Sequence, residues 1–492
     1  MNSLFETLKN ILRRRFRYHS RMVGNSILMS KKHAYDNIDY SSIVDMIGKK
    51  IDNYVCEEQI LTEKKNLLKN YYQVSFNGDW MGKVLRKEGK IYRGIYKESY
   101  EKFVRLWDTG IIQVLGQEKM IPKTEISKYY TEEYPIILEH EVVEISTSKS
   151  WCPEMIRDAC IFMCVLRSVL QQKGYTLHDG HLNNVSYYRG FPIFTDIGSI
   201  VEDIGQWDGF SHELVYAGLY RLIFTDLNNS ILKRIQVFDE YNNAIWLSDR
   251  IYDDMTFEYY KSLQIFKRNL FLHANFKLLW KTFKIFDLYY VTPKDIAMLF
   301  NYKIEGIKGN KCRIEKECIN KIEGLIDSVI NDICSVTDID STDGELIASI
   351  KNKYNVACCL IETDDMVASN IYRKIKEKKL NINTIMLNIM YGMDDITLNV
   401  VQADLVVSWD ILNSINCYQA WRFDSVMNAL FKITKRYALF SIVNRKSEDQ
   451  RGRSELAKTV GIFFIIKKNL IIELKEKKYI IYLVEKKNLI FE

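Results

Sequence analysis

The feature that most constrains the fold is an alternation of short apolar runs and helical segments after Asp332. The apolar runs, each typical of a β-strand, cover residues 334–337, 356–361, 385–387, 405–408 and 438–443. The helical segments between them begin near Glu345, Asp365 and Asp424. This alternation predicts a parallel sheet with helices on both faces. Two later β-type stretches, 462–466 and 479–484, predict an antiparallel pair that closes the sheet edge.

The first two of these runs end in a pattern suited to a nucleoside-containing cofactor. A loop of mainly small and acidic residues, 338–344, follows the first run, and such a loop lets the backbone approach a ligand closely. The second run ends in Glu362, whose carboxylate could accept hydrogen bonds from a ribose diol. Ligands of doubly wound sheets bind beyond the carboxyl ends of the strands, where both features are expected.

A second group of polar residues lies in the N-terminal half of the chain. Residues 84–96 predict a β-hairpin that turns at Glu88-Gly89, and residues 155–172 predict an apolar helix that Gly174 ends. A loop over residues 178–184 follows, and then a hairpin that turns at Arg189-Gly190. The loop contains Asp179 and Asn184, and the hairpin leads to Asp196.

These three residues are the types that phosphoryl transfer requires. A base must face the acceptor hydroxyl, and an amide and a second carboxylate must hold magnesium. Asp179, Asn184 and Asp196 supply these groups in that order. A purely structural, hydrogen-bonded turn is the alternative. His178 and His181 are expected to pack the loop, because the sequence offers no third metal ligand beside them.

Composition restricts the class of protein without naming its function. The chain has 492 residues, 47% hydrophobic and 27% charged, which is typical of globular proteins with two or three domains. A net charge of +6 is small for this length and predicts no nucleic-acid partner. Ten cysteines without a CxxC pair predict reduced thiols in the cytoplasm. No apolar run reaches the roughly 20 residues of a membrane span.

The N-terminus allows a peripheral membrane contact. An apolar helical stripe that includes Leu4, Phe5 and Leu8 precedes four arginines between Arg13 and Arg17. Such a helix can lie on an anionic membrane surface. Docking of this helix on the rest of the protein is the alternative.

The loop after the first C-terminal strand resembles motif I of class I S-adenosylmethionine-dependent methyltransferases, an acid-x-Gly-x-x-x-Gly pattern. Asp338 matches the leading acid and Gly344 the last glycine, whereas Asp340 stands where the first glycine is expected. A carboxylate there would repel the carboxylate of the cofactor's methionine part. The resemblance implies a cofactor site that also contains further residues, namely Glu362, Asp364, Asn388 and Asp404. Trp409 and Asp410 are candidates to face the methyl acceptor, with Asp410 as the catalytic residue.

The loop with Asp179 and Asn184, followed by Asp196, resembles the catalytic loop and metal-binding segment of protein kinases and aminoglycoside phosphotransferases. The resemblance implies that Asp179 is the base and that Asn184 and Asp196 hold Mg²⁺ with bound ATP. No glycine-rich loop precedes the 84–96 hairpin. Arg93 or Lys97 stands where the fold has its strand lysine, with Glu98 or Glu101 as a partner.

The order of all these motifs is similar to that of a bacterial nodulation-type family of class I methyltransferases. The resemblance begins near residue 80, and it implies methylation of a surface glycan or small molecule. The predicted fold is α/β and multidomain. It comprises a helical extension (1–75), a kinase-like α+β domain (76–205), a helical connector (206–325) and a Rossmann-like methyltransferase domain (326–492). A magnesium- and ATP-dependent kinase and a non-enzymatic scaffold remain alternatives.

Overall fold

The computed structural model describes two sheet-centred units. The described residues are 40–55, 66–74, 80–143, 150–180, 182–204, 314–339, 343–362, 365–387, 395–409, 421–444, 460–474 and 477–487. The helices are α1 (Tyr40–Asp52), α2 (Tyr100–Asp108), α3 (Ile111–Gln117), α4 (Pro153–Gln171), α5 (Lys316–Ile326), α6 (Glu345–Tyr354), α7 (Asp365–Glu377), α8 (Asp395–Val401) and α9 (Trp421–Ile433). The N-terminal strands are β1 (Asn66–Leu67), β2 (Tyr72–Gln73), β3 (Gly82–Lys87), β4 (Lys90–Ile95), β5 (Thr124–Ile126), β6 (Tyr129–Tyr130), β7 (Ile136–His140), β8 (Tyr175–Leu177), β9 (Val185–Tyr188), β10 (Phe191–Phe194) and β11 (Ile200–Glu202). The C-terminal strands are β12 (Ser335–Ile339), β13 (Ala357–Glu362), β14 (Ile382–Met386), β15 (Ala403–Ser408), β16 (Thr434–Asn444), β17 (Phe464–Leu474) and β18 (Lys477–Lys486).

The N-terminal unit is built on an antiparallel sheet of five strands in the order β2-β3-β4-β7-β5. The predicted hairpin is confirmed as β3 and β4, and both turn residues, Glu88 and Gly89, have positive φ angles. Positive φ at both central residues is the conformation of the tightest hairpin turns. Strand β7 pairs with both β4 and β5.

The predicted apolar helix is confirmed as α4, which lies in the core of the N-terminal unit. Pro153 begins the helix at a position that needs no amide hydrogen bond. Helix α1 packs on α4, where the Tyr40 hydroxyl donates to the Cys164 carbonyl at 2.8 Å. Strand β2 also joins the five-stranded sheet. Part of the segment 1–75 therefore contributes to the same unit as the motifs that follow it.

The C-terminal unit contains a seven-stranded sheet in the order β14-β13-β12-β15-β16-β18-β17. The first five strands in this order are parallel, as the alternation predicted. Strand β18 runs antiparallel between β16 and β17, so the final hairpin closes one edge as predicted. The Lys467-Lys468 pair lies within β17 and not between the two strands, which is a difference from the expected bounds.

Helix α5 covers the end of the connector that was predicted over residues 206–325. It packs in the core of the C-terminal unit through Cys318, Ile322 and Ile326. The connector up to residue 313 lies outside the described residues. No helix in the described part of the chain is long and apolar enough to cross a bilayer. The Arg13–Arg17 segment lies outside the described residues.

The predicted hairpin at Arg189-Gly190 is confirmed as β9 and β10, and its tip contacts the C-terminal unit. The Gly190 amide donates to the Asn383 side-chain oxygen at 2.9 Å. A Cβ atom added to Gly190 would lie 2.7 Å from the Ile382 carbonyl oxygen. This turn therefore needs glycine both for its φ of 84° and for its close approach to β14.

Alanine at the two hairpin turns should separate these two requirements. Gly89 has a φ of 79°, but an added Cβ there would meet no atom within 4 Å. We expect Gly89→Ala to lower the free energy of unfolding by about 1–2 kcal/mol, the usual cost of a left-handed conformation. Gly190→Ala should cost at least about 1 kcal/mol more, because the neighbouring backbone must move. Chemical denaturation of both variants measures the difference, and equal losses would contradict the close contact at β14.

Candidate functional site

Two buried carboxylates mark the carboxyl edge of the C-terminal sheet. Asp338 is the penultimate residue of β12 and Glu362 is the last residue of β13, and both are fully buried. Because β12 and β13 are adjacent and parallel, with Asp338 opposite Leu360, the two carboxylates lie at the same edge. The Leu387 amide donates to the Glu362 carbonyl at 3.1 Å and ties the end of β14 to this edge.

The turn before α6 lies at the same edge. Gly344 precedes the helix with a φ of 77°, a left-handed conformation that glycine adopts without strain. The Glu345 amide at the start of α6 donates a hydrogen bond to the Asp343 carboxylate at 3.2 Å. A Cβ atom added to Gly344 would lie 2.5 Å from the Ile371 side chain of α7. The structure thus places Asp338, Gly344 and Glu362 at the same edge, and their role in cofactor binding stays a prediction.

Asp404 does not belong to this edge, and its predicted role in cofactor binding is wrong. It lies at the amino end of β15, the opposite end of the sheet. Its Oδ2 accepts hydrogen bonds from the Cys334 amide at 2.9 Å and from the Ser335 amide at 3.0 Å. The Ser335 hydroxyl donates to the same oxygen at 2.9 Å. Strands β12 and β15 are parallel neighbours, so their first residues lie side by side. Asp404 therefore fixes the start of β12.

Trp409, predicted to face the methyl acceptor, is buried in the core of the C-terminal unit. It is 5% exposed, and its ring stacks on Tyr479 with centroids 5.0 Å apart. The Ser441 hydroxyl donates to its carbonyl oxygen. Trp409 is therefore a core residue between β15 and β18. Four other predicted site residues lie outside the described residues: Asp340, Asp364, Asn388 and Asp410.

The three polar residues of the N-terminal loop and hairpin are also brought together. The Asn184 side-chain amide donates to the Asp179 carbonyl at 3.1 Å, and the Thr195 amide donates to the Asn184 carbonyl at 2.8 Å. Asp196 follows Thr195 and accepts a hydrogen bond from the Ser199 hydroxyl at 2.6 Å. His178 lies beside this loop, where its amide donates to the Ser199 carbonyl. His181 lies outside the described residues.

Arg93 reaches this group from β4, and the partner it contacts there is Asp196. Its guanidinium lies 3.3 Å from Asp196 Oδ1, whereas the sequence suggested Glu98 or Glu101 as partners. The side chain is 3% exposed. Burial lowers the pKa of Arg93, and the Asp196 carboxylate opposes this by stabilising the positive charge. The pattern of a charged residue on the inward face of a strand could have indicated a buried pair, but not its partner.

Arg93 also affects His140 on the neighbouring strand β7. Burial and the Arg93 charge lower the pKa of His140 to about 3. The Nδ1 atom of His140 lies 2.9 Å from the Thr124 hydroxyl. His140 therefore stays neutral near physiological pH. Within the described ranges, no three His, Cys, Asp or Glu residues are grouped to hold a metal ion.

No protein-family model and no curated protein matches the sequence. Several solved structures resemble about a third of the chain. Magnesium protoporphyrin IX methyltransferase from Synechocystis PCC 6803, with bound S-adenosylmethionine, is 12% identical over 35% of this chain and 80% of that protein, with a TM-score of 0.29. A 16S rRNA methylase is 16% identical over 35% of this chain and 64% of its own, with a TM-score of 0.27. A [4+2]-cyclase is 9% identical over 37% and 85%, with a TM-score of 0.29.

Replacement of Asp404 should affect stability and leave cofactor affinity unchanged. Asp404→Ala removes the acceptor of three hydrogen bonds at the start of β12. We expect the free energy of unfolding to fall by about 1–3 kcal/mol, while Asp404→Asn, which keeps one acceptor oxygen, should lose less. Denaturant titration measures the loss. A large change in cofactor affinity without loss of stability would restore Asp404 to the binding site.

Acid should destabilise the protein partly through His140. The unfolded histidine takes up a proton near its ordinary pKa of 6.5, whereas the folded one resists protonation down to about 3. Its contribution is therefore complete above pH 6.5 and falls as the pH is lowered. Between pH 7 and pH 5 we expect the wild type to lose on the order of 1–2 kcal/mol more than His140→Gln. Thermal unfolding at both pH values measures this, and identical losses would show that His140 is accessible to protons.

Proposed function

We propose that the C-terminal unit binds S-adenosylmethionine and catalyses methyl transfer. The observation that carries this proposal is the placement of Asp338, Gly344 and Glu362 at one edge of a parallel sheet. In open sheets of this kind, ligands bind beyond the carboxyl ends of the strands. The left-handed turn at Gly344 starts α6 at this same edge.

The chemistry of these residues fits the cofactor. Glu362, at the end of β13, would accept hydrogen bonds from the two ribose hydroxyls. The amino end of α6, which follows the Gly344 turn, would favour the carboxylate of the methionine part. The bound cofactor supplies an electrophilic methyl group. The protein contributes by orienting that group toward a nucleophile and by excluding water.

Asp340 distinguishes this chain from the motif and predicts weak cofactor binding. A carboxylate at the first glycine position would repel the methionine carboxylate. For the acceptor we propose a glycan or small molecule, which rests on the order of the sequence motifs and on their likeness to the nodulation-type family. Fold likeness does not define an acceptor.

The two alternative functions have less support in the geometry. Phosphoryl transfer needs Asp196 to bind magnesium. Its Oδ1 instead contacts Arg93, and its Oδ2 contacts Ser199. A scaffold gives no reason for two fully buried carboxylates at adjacent strand ends. A methyltransferase accounts for both carboxylates and for the glycine turn.

Calorimetric titration with S-adenosylmethionine and S-adenosylhomocysteine tests the proposal. We expect the wild type to bind both, and Glu362→Ala to weaken binding by about 1–3 kcal/mol through the loss of charged hydrogen bonds. Glu362→Gln, which keeps the shape and one acceptor, should fall between the two. Asp340→Gly should bind more tightly than the wild type, because the like charge is removed.

Asp404→Asn is the matched control, since it changes a carboxylate at the opposite end of the same sheet. Its affinity for the cofactor should equal that of the wild type. If the folded wild type binds neither compound at millimolar concentration, the proposed function is wrong. Binding that Glu362→Ala does not weaken would place the cofactor elsewhere.

A further inference from the structure

Helix α7 lies between the two units and contributes to the core of each. Val367, Ile371 and Ile375 belong to a buried cluster of the C-terminal unit. Ala368 and Tyr372 belong to the buried cluster of the N-terminal unit. Residues four apart on a helix lie on the same face, so these two sets form two adjacent stripes of α7. A displacement of either stripe therefore moves the other.

The face of α7 that packs on the C-terminal unit contacts the turn that precedes α6. The Ile371 side chain fills the space beside Gly344, where an added Cβ would lie 2.5 Å away. The Lys374 ammonium donates to the Asp343 carbonyl at 3.2 Å, and Lys378 pairs with Glu345 at 2.8 Å. The position of α7 thus determines the position of the Gly344 turn.

On the face of α7 toward the N-terminal unit, side chains form hydrogen bonds and ion pairs with two buried acids of α4. The Tyr372 hydroxyl donates to Asp158 Oδ2 at 2.9 Å, and Lys376 pairs with the same oxygen. Arg373 donates to Glu154 Oε1 at 2.7 Å. Glu154 is 1% exposed and Asp158 is 6% exposed, so little water screens these contacts.

These contacts fix how α7 packs on α4. A buried carboxylate is costly unless it is paired, and removal of one partner leaves an uncompensated charge. Arg157 adds a further contact to Glu154 at 2.8 Å from within α4. Burial and the Asp158 carboxylate raise the pKa of Tyr372 well above its ordinary value, so its hydroxyl remains a donor. The tip of the β9–β10 hairpin adds a second contact, to Asn383 at the start of β14.

We propose that Tyr372, Arg373 and Lys376 are positioning residues for the cofactor site, and that the N-terminal unit is needed for its full affinity. Through these residues α4 fixes α7, and α7 in turn fixes the Gly344 turn. This inference rests on the proposed function. The N-terminal unit then acts on methyl transfer through contacts between helices, and it needs no phosphoryl transfer of its own.

A double-mutant cycle on cofactor affinity tests the inference in the full chain. Tyr372→Phe removes one hydroxyl, Lys376→Met removes one charge, and each is combined with Asp158→Asn. We expect each single variant to weaken S-adenosylhomocysteine binding by about three- to tenfold. Each double variant should bind S-adenosylhomocysteine no more weakly than the single variant with the lower affinity, because the paired groups act as one unit.

Lys353→Met is the matched control, since Lys353 pairs with Asp327 at 3.1 Å on the outer end of α6 and is 41% exposed. It should bind the cofactor as the wild type does. Amide hydrogen exchange over residues 343–348 provides a readout that needs no ligand. Exchange there should be faster in Tyr372→Phe and Lys376→Met than in the wild type or Lys353→Met. This difference should remain after the free energy of unfolding of each protein is measured by denaturant titration and taken into account.

The outcomes separate the two proposals. If the wild type binds cofactor, but the α7 variants bind it equally well and exchange at the wild-type rate, the inference is wrong and the proposed function stands. If the wild type does not bind cofactor, the proposed function fails, and a role in cofactor affinity fails with it. Weaker binding that accompanies an equal loss in Lys353→Met would show general destabilisation and would also overturn the inference.

Discussion

Parallel pairing of β12 on both of its edges is the constraint on which the C-terminal unit depends. Strands β13 and β15 flank it, so three strands have their carboxyl ends at one edge of the sheet and their amino ends at the opposite edge. One edge receives Asp338, Glu362 and the Gly344 turn. The other edge receives Asp404, whose three hydrogen bonds fix the start of β12. The same pairing thus separates a carboxylate with a structural role from those suited to bind a ligand.

The two units are joined by buried charge as well as by apolar contact. Glu154 and Asp158 are buried acids on α4, and their partners on α7 come from the other unit. Paired charges of this kind contribute little net stability, but they allow few alternative arrangements. The interface therefore specifies how α7 packs more than it stabilises the protein. That specificity reaches the Gly344 turn through Ile371, one residue before Tyr372.

In the N-terminal unit, a buried arginine sets the electrostatics of the polar loop and hairpin. Its loop and hairpin bring Asp179, Asn184 and Asp196 together, but the guanidinium of Arg93 contacts Asp196. Arginine is planar and remains charged, so it can form a lasting ion pair with this carboxylate. Burial, together with the Arg93 charge, lowers the pKa of His140 and keeps it neutral. The result is an ion pair between the buried Arg93 and Asp196, beside a neutral histidine.

The sequence by itself determined the elements and the local turns. Alternating β and α segments, the glycines at 89, 174 and 190, and the acid at the end of β13 all depend on neighbours close in the chain. It also indicated that Asp338, Gly344 and Glu362 belong together, because strand ends of a parallel sheet must meet. Only the tertiary structure assigned Asp404 to the opposite edge, Trp409 to the core and Asp196 to Arg93. Those assignments, and the contact of α7 with α4, join residues far apart in the chain. These assignments depend on the end of the strand at which a side chain lies and on which charges are buried together. The spacing of residues along the chain determines neither.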